Sequence, residues 1–131
     1  MIALDSDCII DFLKGEEKAI QVIKKYGEEQ LVTTELNVFE IFLGVYSRKV
    51  FGEQEERSAS LFFDALEILS LEEGCGKRAA RLLGGLMKKG KGVNQNDCLI
   101  AAILLQYGCS VLNPSSFRSD NSPIDRSYQC A

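Results

Sequence analysis

Apolar residues in this chain come in two kinds of pattern. "MIAL" at the start, "QLVT" at 30–33, "ILSL" at 68–71 and "CSVL" at 109–112 are brief apolar runs bounded by polar residues, as expected of short buried strands. The stretches between them carry helical spacing. "DCIIDFLK" (7–14) and "EEKAIQVIKKYG" (16–27) predict two helices, the second with Ala19, Ile20, Val22 and Ile23 on one side and Gly27 as its stop. "TELNVFEIFLGVY" (34–46) predicts a nearly all-apolar helix capped by Thr34, and "GEQEERSASLFFDALE" (52–67) a polar-led one. "EEGCGKRAARLLGGLMKKG" (72–90) predicts a helix with a basic end, and "NQNDCLIAAILLQYG" (94–108) one capped by Asn94. Strands alternating with helices predict an α/β fold, a three-layer α/β/α sandwich with a mainly parallel central sheet. It should occupy residues 1–117. Hydrophobic residues become sparse after that, and 118–131 reads as an irregular C-terminal tail.

In such sheets ligands bind beyond the carboxyl ends of the strands. Asp5 stands at that end of the first strand and Asn113 at that end of the last. Asp97 lies in the first turn of the helix opened by Asn94, and such turns gather on the same edge. Each has a plain structural alternative. Asp5 or Ser6 could cap the first helix, and Asn94 with an acid three residues on is a capping pattern. Glu40 is harder to explain that way. Its helix is apolar almost all round and therefore expected to be buried, with Asn37, Glu40 and Gly44 as one narrow polar stripe. A buried carboxylate costs several kcal/mol, in round terms, unless a cation meets it. No lysine or arginine follows it in this helix, so the partner is a distant base or a metal ion. Asp7, two residues past Asp5, either faces the same cleft or sits solvated at a helix start.

Composition narrows the chemistry. At 131 residues with 46% hydrophobic content the chain should make one domain with one site. The longest apolar run, "LIAAILL", is too short for a bilayer and no signal-peptide pattern opens the chain, so a soluble, cytoplasmic protein with no membrane association is expected. Five cysteines without a C-x-x-C pair, and no histidine at all, fit neither a disulfide framework nor a zinc site. Cys8, Cys98 and Cys109, flanked by apolar residues, read as small core residues. Without histidine, catalysis must rest on carboxylates, lysines or a metal. The net charge of −4 leaves a local nucleic-acid surface open, because a global charge says little about one face.

Taken together, these stretches resemble the PIN domains, and within them the small VapC-type toxins of prokaryotic toxin–antitoxin pairs. "LDSDCIIDFL" is similar to the family's opening apolar-Asp-Thr/Ser motif and "TTELNVFEIFLG" to its Glu-x-x-x-Gly helix. "NQNDCLIAA" is similar to its Asp-x-x-Ile-Ala-Ala helix, and "SVLNPSSF" to its last strand with an Asp or Asn four residues before a Phe. The resemblance spans residues 2–117 and implies an acidic triad of Asp5, Glu40 and Asp97 with Asn113 at the fourth position. It puts Ser6 in the place of the hydroxyl residue that orients the first Asp. The chain departs from the pattern at Val111, where Thr is common, at Pro114 after Asn113, and in lacking a recognisable closing strand beyond Phe117.

The resemblance implies a metal-dependent endoribonuclease, the toxin of a type II pair, with a homodimeric state, an RNA substrate and a cognate antitoxin protein. Elementary chemistry is compatible with it. Mg²⁺ and Mn²⁺ prefer oxygen ligands, so three carboxylates and an amide oxygen suffice without histidine. A metal there polarises a phosphoryl oxygen and acidifies a bound water. Asp5 and Asp97 are the expected direct metal ligands, Glu40 the group that orients or deprotonates the attacking water, and Asn113 a holder of water or metal. Lys88, Lys89 and Lys91 of "MKKGKG" either grip the RNA backbone or complement a helix end. "GCGKRA" lacks the first glycine and the Ser/Thr of a phosphate-binding P-loop. Three other readings stay open: a solitary RNA-processing nuclease of the same family, a non-catalytic PIN module, and a haloacid-dehalogenase-like phosphatase built on "LDSDC". The last needs a later lysine and a paired-acid motif that "SVLNPSS" does not supply.

Overall fold

The first strand is three residues long and buried throughout. It is β1 (Ile2–Leu4), followed by α1 (Ser6–Leu13), α2 (Glu17–Lys25), β2 (Leu31–Thr34), α3 (Glu35–Tyr46), α4 (Glu53–Asp64), β3 (Glu67–Leu69), α5 (Cys75–Lys88), α6 (Gln95–Tyr107) and β4 (Ser110–Leu112). This is a computed structural model, and it describes residues 1–48 and 52–112. The four strands form one sheet in the order β3-β2-β1-β4, every pairing parallel.

That order places the helices. The chain steps from β1 to β2 to β3 in one direction, then jumps back across β1 to β4. Right-handed crossovers therefore lay the first set of helices on one face of the sheet and the second set on the other. The core follows suit. Ile2 and Leu4 pack with Cys8 and Ile9 of α1, Ile41 of α3 and Phe63 of α4. Ala3, between them in the strand, faces the opposite layer with Val32, Leu69 and Ile100, Ile103 and Leu104 of α6. The period-two alternation of β1 thus feeds two cores, and the three-layer α/β/α sandwich expected from the sequence is the fold.

The reversal of direction falls between β1 and β4, the place where an open parallel sheet leaves a crevice at its carboxyl edge. Asp5 extends this pairing, its N–H donating to the Leu112 carbonyl at 2.9 Å. On the other flank the buried Thr33 hydroxyl donates to the Leu4 carbonyl at 2.9 Å, pinning the end of β1 to β2. The return to β4 depends on Gly108, which ends α6 with a left-handed φ of +65° that a residue with a side chain adopts only under strain.

One expectation about α3 fails. Its near-continuous hydrophobicity predicts a mostly buried helix, yet Phe39, Leu43 and Tyr46 are 54%, 52% and 56% exposed. They lie on one face at four- and three-residue spacing, while Asn37, Ile41 and Val45 turn inward. Composition registers that apolar surface needs cover, not which body supplies it. Asn113 and the tail 118–131 lie outside the described residues.

Candidate active site

Asp5 reaches the carboxyl edge of the sheet because β1 ends at Leu4 and α1 begins at Ser6, leaving one extended residue between them. Its carboxylate makes no side-chain cap to the second or third helical N–H. It leans instead on the backbone N–H of Ser6. The capping alternative for Asp5 is therefore not what the chain adopts. Burial pushes its pKa up to about 6, and the charges of Asp7, Glu40 and Asp97 push the same way against that hydrogen bond.

Glu40 stands one turn into α3, half-buried on the same edge. Burial raises its pKa above the usual carboxylate range, as do the charges of Asp97 and Asp7. A hydrogen bond from the Ser6 hydroxyl to Oε1, at 3.2 Å, pulls it back down. Among the described residues no lysine or arginine pairs with Glu40; the ion pair found is the exposed Arg48–Glu55 contact at 3.3 Å. The distant base that sequence reasoning left open is absent from that set.

Asp97 occupies the first turn of α6, exposed and facing Asp5 and Glu40 closely enough to raise both. Asn94 caps this helix alone, its side-chain oxygen accepting from the Asn96 N–H at 2.7 Å. The carboxylate of Asp97 makes no hydrogen bond within the described residues, so the capping box drawn as its alternative does not form. Asp7 is exposed and close enough to raise Asp5 and Glu40. Four carboxylates from both helical layers thus share one field at the switch point of the sheet.

The structure corrects the role expected of Ser6. Its hydroxyl does not hold Asp5; it donates to Glu40, and only its backbone N–H serves Asp5. Behind Ser6 lies a contact with no counterpart in the sequence reading, Asn37 Nδ2 donating to Ser6 Oγ at 2.9 Å. Asn37 was visible only as a member of the polar stripe with Glu40. Gly44, one turn further, lines an open cleft of about 500 Å³ that runs from Glu40 between α1, α3 and α4 toward Lys14 and Arg48. A Cβ there would meet nothing within 4 Å, so the fold does not demand glycine; its effect is to leave the wall beside Glu40 bare.

The donor set suits a hard divalent cation: it is all oxygen, crowded with like charge and, among the described residues, without a paired lysine or arginine. Among the described residues no three acidic or cysteine side chains close on a ready-made metal cage. That is compatible with Mg²⁺ or Mn²⁺, which are commonly held by one or two carboxylates, retained waters and substrate phosphate. Cysteine chemistry is unsuited here, since burial and the nearby Asp5 and Asp11 charges push the Cys8 thiol up to about 12. No described helix is long and apolar enough to cross a membrane.

Comparison with known proteins agrees with the fold. The fold is similar to that of VapBC2 from Rickettsia felis bound to a promoter DNA fragment, with TM-score 0.77, 21% identity and 86% of each chain covered. It is similar to VapBC-1 from nontypeable Haemophilus influenzae, with TM-score 0.73, 22% identity and 87% of each chain covered. A toxin–antitoxin complex from Klebsiella pneumoniae matches with TM-score 0.69, 14% identity and 86% of this chain and 85% of that one covered. At such identities the likeness is one of fold. The chain matches no curated protein sequence. The model of the PIN domain matches residues 2–114, which takes in β1 through β4 and all three acidic positions, and the chain belongs to the PIN-domain family.

Proposed function

We propose that this protein is a metal-dependent endoribonuclease and the toxin of a type II toxin–antitoxin pair. The observation that carries the reading is the meeting of Asp5, Glu40 and Asp97, from two helical layers, at the switch point of the sheet, with no lysine or arginine paired to them among the described residues. Family membership supports nuclease chemistry, and the fold shared with solved toxin–antitoxin complexes supports an antitoxin partner. The setting is cytoplasmic.

Asp5 and Asp97 would hold Mg²⁺ or Mn²⁺, with Asn113 as a further oxygen donor. Bound there, the cation supplies positive charge to the scissile phosphate and makes water easier to deprotonate. Glu40, oriented by Ser6, takes the proton of the attacking water. Its pKa, raised chiefly by burial, makes it a stronger base than an ordinary exposed carboxylate. Lys88, at the end of α5, and Lys89 and Lys91 beyond it are exposed on the approach to α6 and would hold the RNA backbone. Domain 1–117 carries the activity, and the 118–131 tail lies outside it.

The test is an assay with purified protein and a single-stranded RNA. Cleavage should require Mn²⁺ or Mg²⁺ and stop in EDTA. Replacing the three lysines by Gln should flatten the slope of log affinity against log salt by about 2, as expected for three phosphate contacts on a single strand. Cleavage that continues in EDTA removes the metal from the mechanism.

The Phe39, Leu43 and Tyr46 face is the surface assigned to the homodimer. With about half of each side chain still exposed, covering one gains on the order of 1 kcal/mol, and a patch of three calls for a partner. Light scattering should report a dimer at tens of micromolar (roughly the range where weak contacts populate), and Leu43→Glu should shift it to monomer without lowering the melting temperature of the protomer. A monomeric unmutated protein at that concentration would remove the dimer.

A further inference from the structure

We propose that Asn37 is a positioning residue which, acting through Ser6, fixes the Glu40 carboxylate by one oxygen and leaves the other free to serve water. The inference rests on the nuclease reading for its consequence and on five hydrogen bonds for its geometry.

The direction of these bonds is set at a backbone group. The Thr34 N–H can only donate, and it donates to Asn37 Oδ1 at 3.3 Å. The Thr34 hydroxyl donates to the same oxygen at 2.7 Å, while its own oxygen accepts from the Asn37 N–H at 3.2 Å. The amide is therefore turned with Oδ1 toward Thr34, which aims its NH₂ at Ser6. Nδ2 donates to Ser6 Oγ at 2.9 Å. A hydroxyl carries one proton, and with Asn37 occupying its oxygen, Ser6 directs that proton at Glu40 Oε1, 3.2 Å away. Every step follows from the one before, so the polarity imposed by a backbone N–H at the end of β2 is delivered to the Glu40 carboxylate in α3.

Burial makes the chain strict. Thr34 and Asn37 are 0% and 1% exposed, and Ser6 is 8% exposed, so these groups meet their hydrogen-bonding needs in one another rather than in bulk solvent. Glu40 Oε2 receives no hydrogen bond among the described residues. The relay also links α1 to α3, because Ser6 opens one helix and Asn37 lies in the first turn of the other. Asn37 has a second duty: it completes the capping box of α3. Truncation to Ala would remove cap and relay together and so cannot separate them.

Asn37→Asp does separate them. The new carboxylate keeps an oxygen for the Thr34 N–H but has no hydrogen for Ser6, whose hydroxyl then turns to it and abandons Glu40. The expected result is a fall in kcat of about 10- to 100-fold with KM for RNA within about twofold, the scale of losing alignment at a general base. Ser6→Ala should give the same fall, Ser6→Thr should recover most of it, and the double variant should be no slower than either single one. A second readout needs no catalysis. In NMR spectra of the metal-free full chain, the Asn37 side-chain amide protons should exchange slowly with water and shift in Glu40→Gln, two hydrogen bonds away. Ser6→Ala should abolish that shift. Additive kcat losses, full activity in Ser6→Ala, or an Asn37 amide indifferent to Glu40→Gln each overturn the relay. If the unmutated protein cleaves no RNA, the nuclease reading fails by itself, and the amide shift alone then decides whether Asn37 positions Glu40.

Discussion

Asp97→Asn is expected to abolish RNA cleavage and leave the fold intact. The substitution keeps side-chain shape and removes only charge and basicity. Asp97 is exposed in the first turn of α6, so no cavity opens and no buried partner is stranded. Two small effects on stability oppose each other. An acidic group at a helix start contributes roughly 0.3–1 kcal/mol, while its repulsion with Asp5 and Glu40 costs something similar. The melting temperature should therefore move by no more than a few degrees. Activity should fall by roughly 10²–10⁴, the scale of losing a charge-stabilising or proton-transfer group. Initial rates on one RNA, with circular dichroism of the same samples, check both halves. Undiminished cleavage would take Asp97 out of the mechanism.

Asp5→Asn should stabilise the metal-free protein, and by an amount that grows with pH. In the unfolded chain Asp5 titrates near 3.8, whereas in the fold it titrates near 6. Below about pH 4 the group is protonated in both states and costs nothing. As pH rises from 4 to 6 the unfolded chain ionises first, so the folded state falls behind, and above 6 the whole cost is present. Two pH units correspond to about 3 kcal/mol as a ceiling. Asn, which does not titrate, escapes this. The melting temperatures of the two proteins should nearly coincide at pH 4 and separate above pH 6, the variant melting higher by up to about 10 °C. A gap that is constant across that range would show that Asp5 is not held in a strained, charge-crowded position.

The parts of this molecule legible in its sequence are those with local causes. Apolar runs such as "IAL" in β1 and the Thr34 and Asn94 caps announce elements through neighbouring residues, and the rule that ligands gather at carboxyl edges of parallel sheets brought Asp5 and Asp97 into one neighbourhood in advance. The two misreadings have longer-range causes. The family resemblance put Ser6 in the place of a hydroxyl that orients Asp5, but one residue of helix rotates a side chain by about 100°, which turns its hydroxyl toward α3 and Glu40. The partnership of Asn37 with Ser6 depends on the parallel pairing of β1 with β2, which sets the starts of α1 and α3 side by side. No window of sequence contains both. Likewise the hydrophobicity of α3 could not distinguish Ile41, covered by its own domain, from Leu43, left open.

The claim that Asp5, Glu40 and Asp97 form a divalent-cation centre is tested most directly by melting the unmutated protein and Asp5→Asn near pH 7.5 with and without Mn²⁺. A cation that binds the fold and not the scattered unfolded carboxylates stabilises by mass action, about 2.7 kcal/mol when free metal is roughly 100 times its dissociation constant. For a domain of this size that is a rise on the order of 10 °C. The unmutated protein should show it in millimolar Mn²⁺, and Asp5→Asn, which has lost a ligand, should respond far less although it melts higher without metal. If the unmutated protein melts at the same temperature with and without Mn²⁺, or if Asp5→Asn gains as much, the carboxylates are not a metal site and the nuclease reading fails with them.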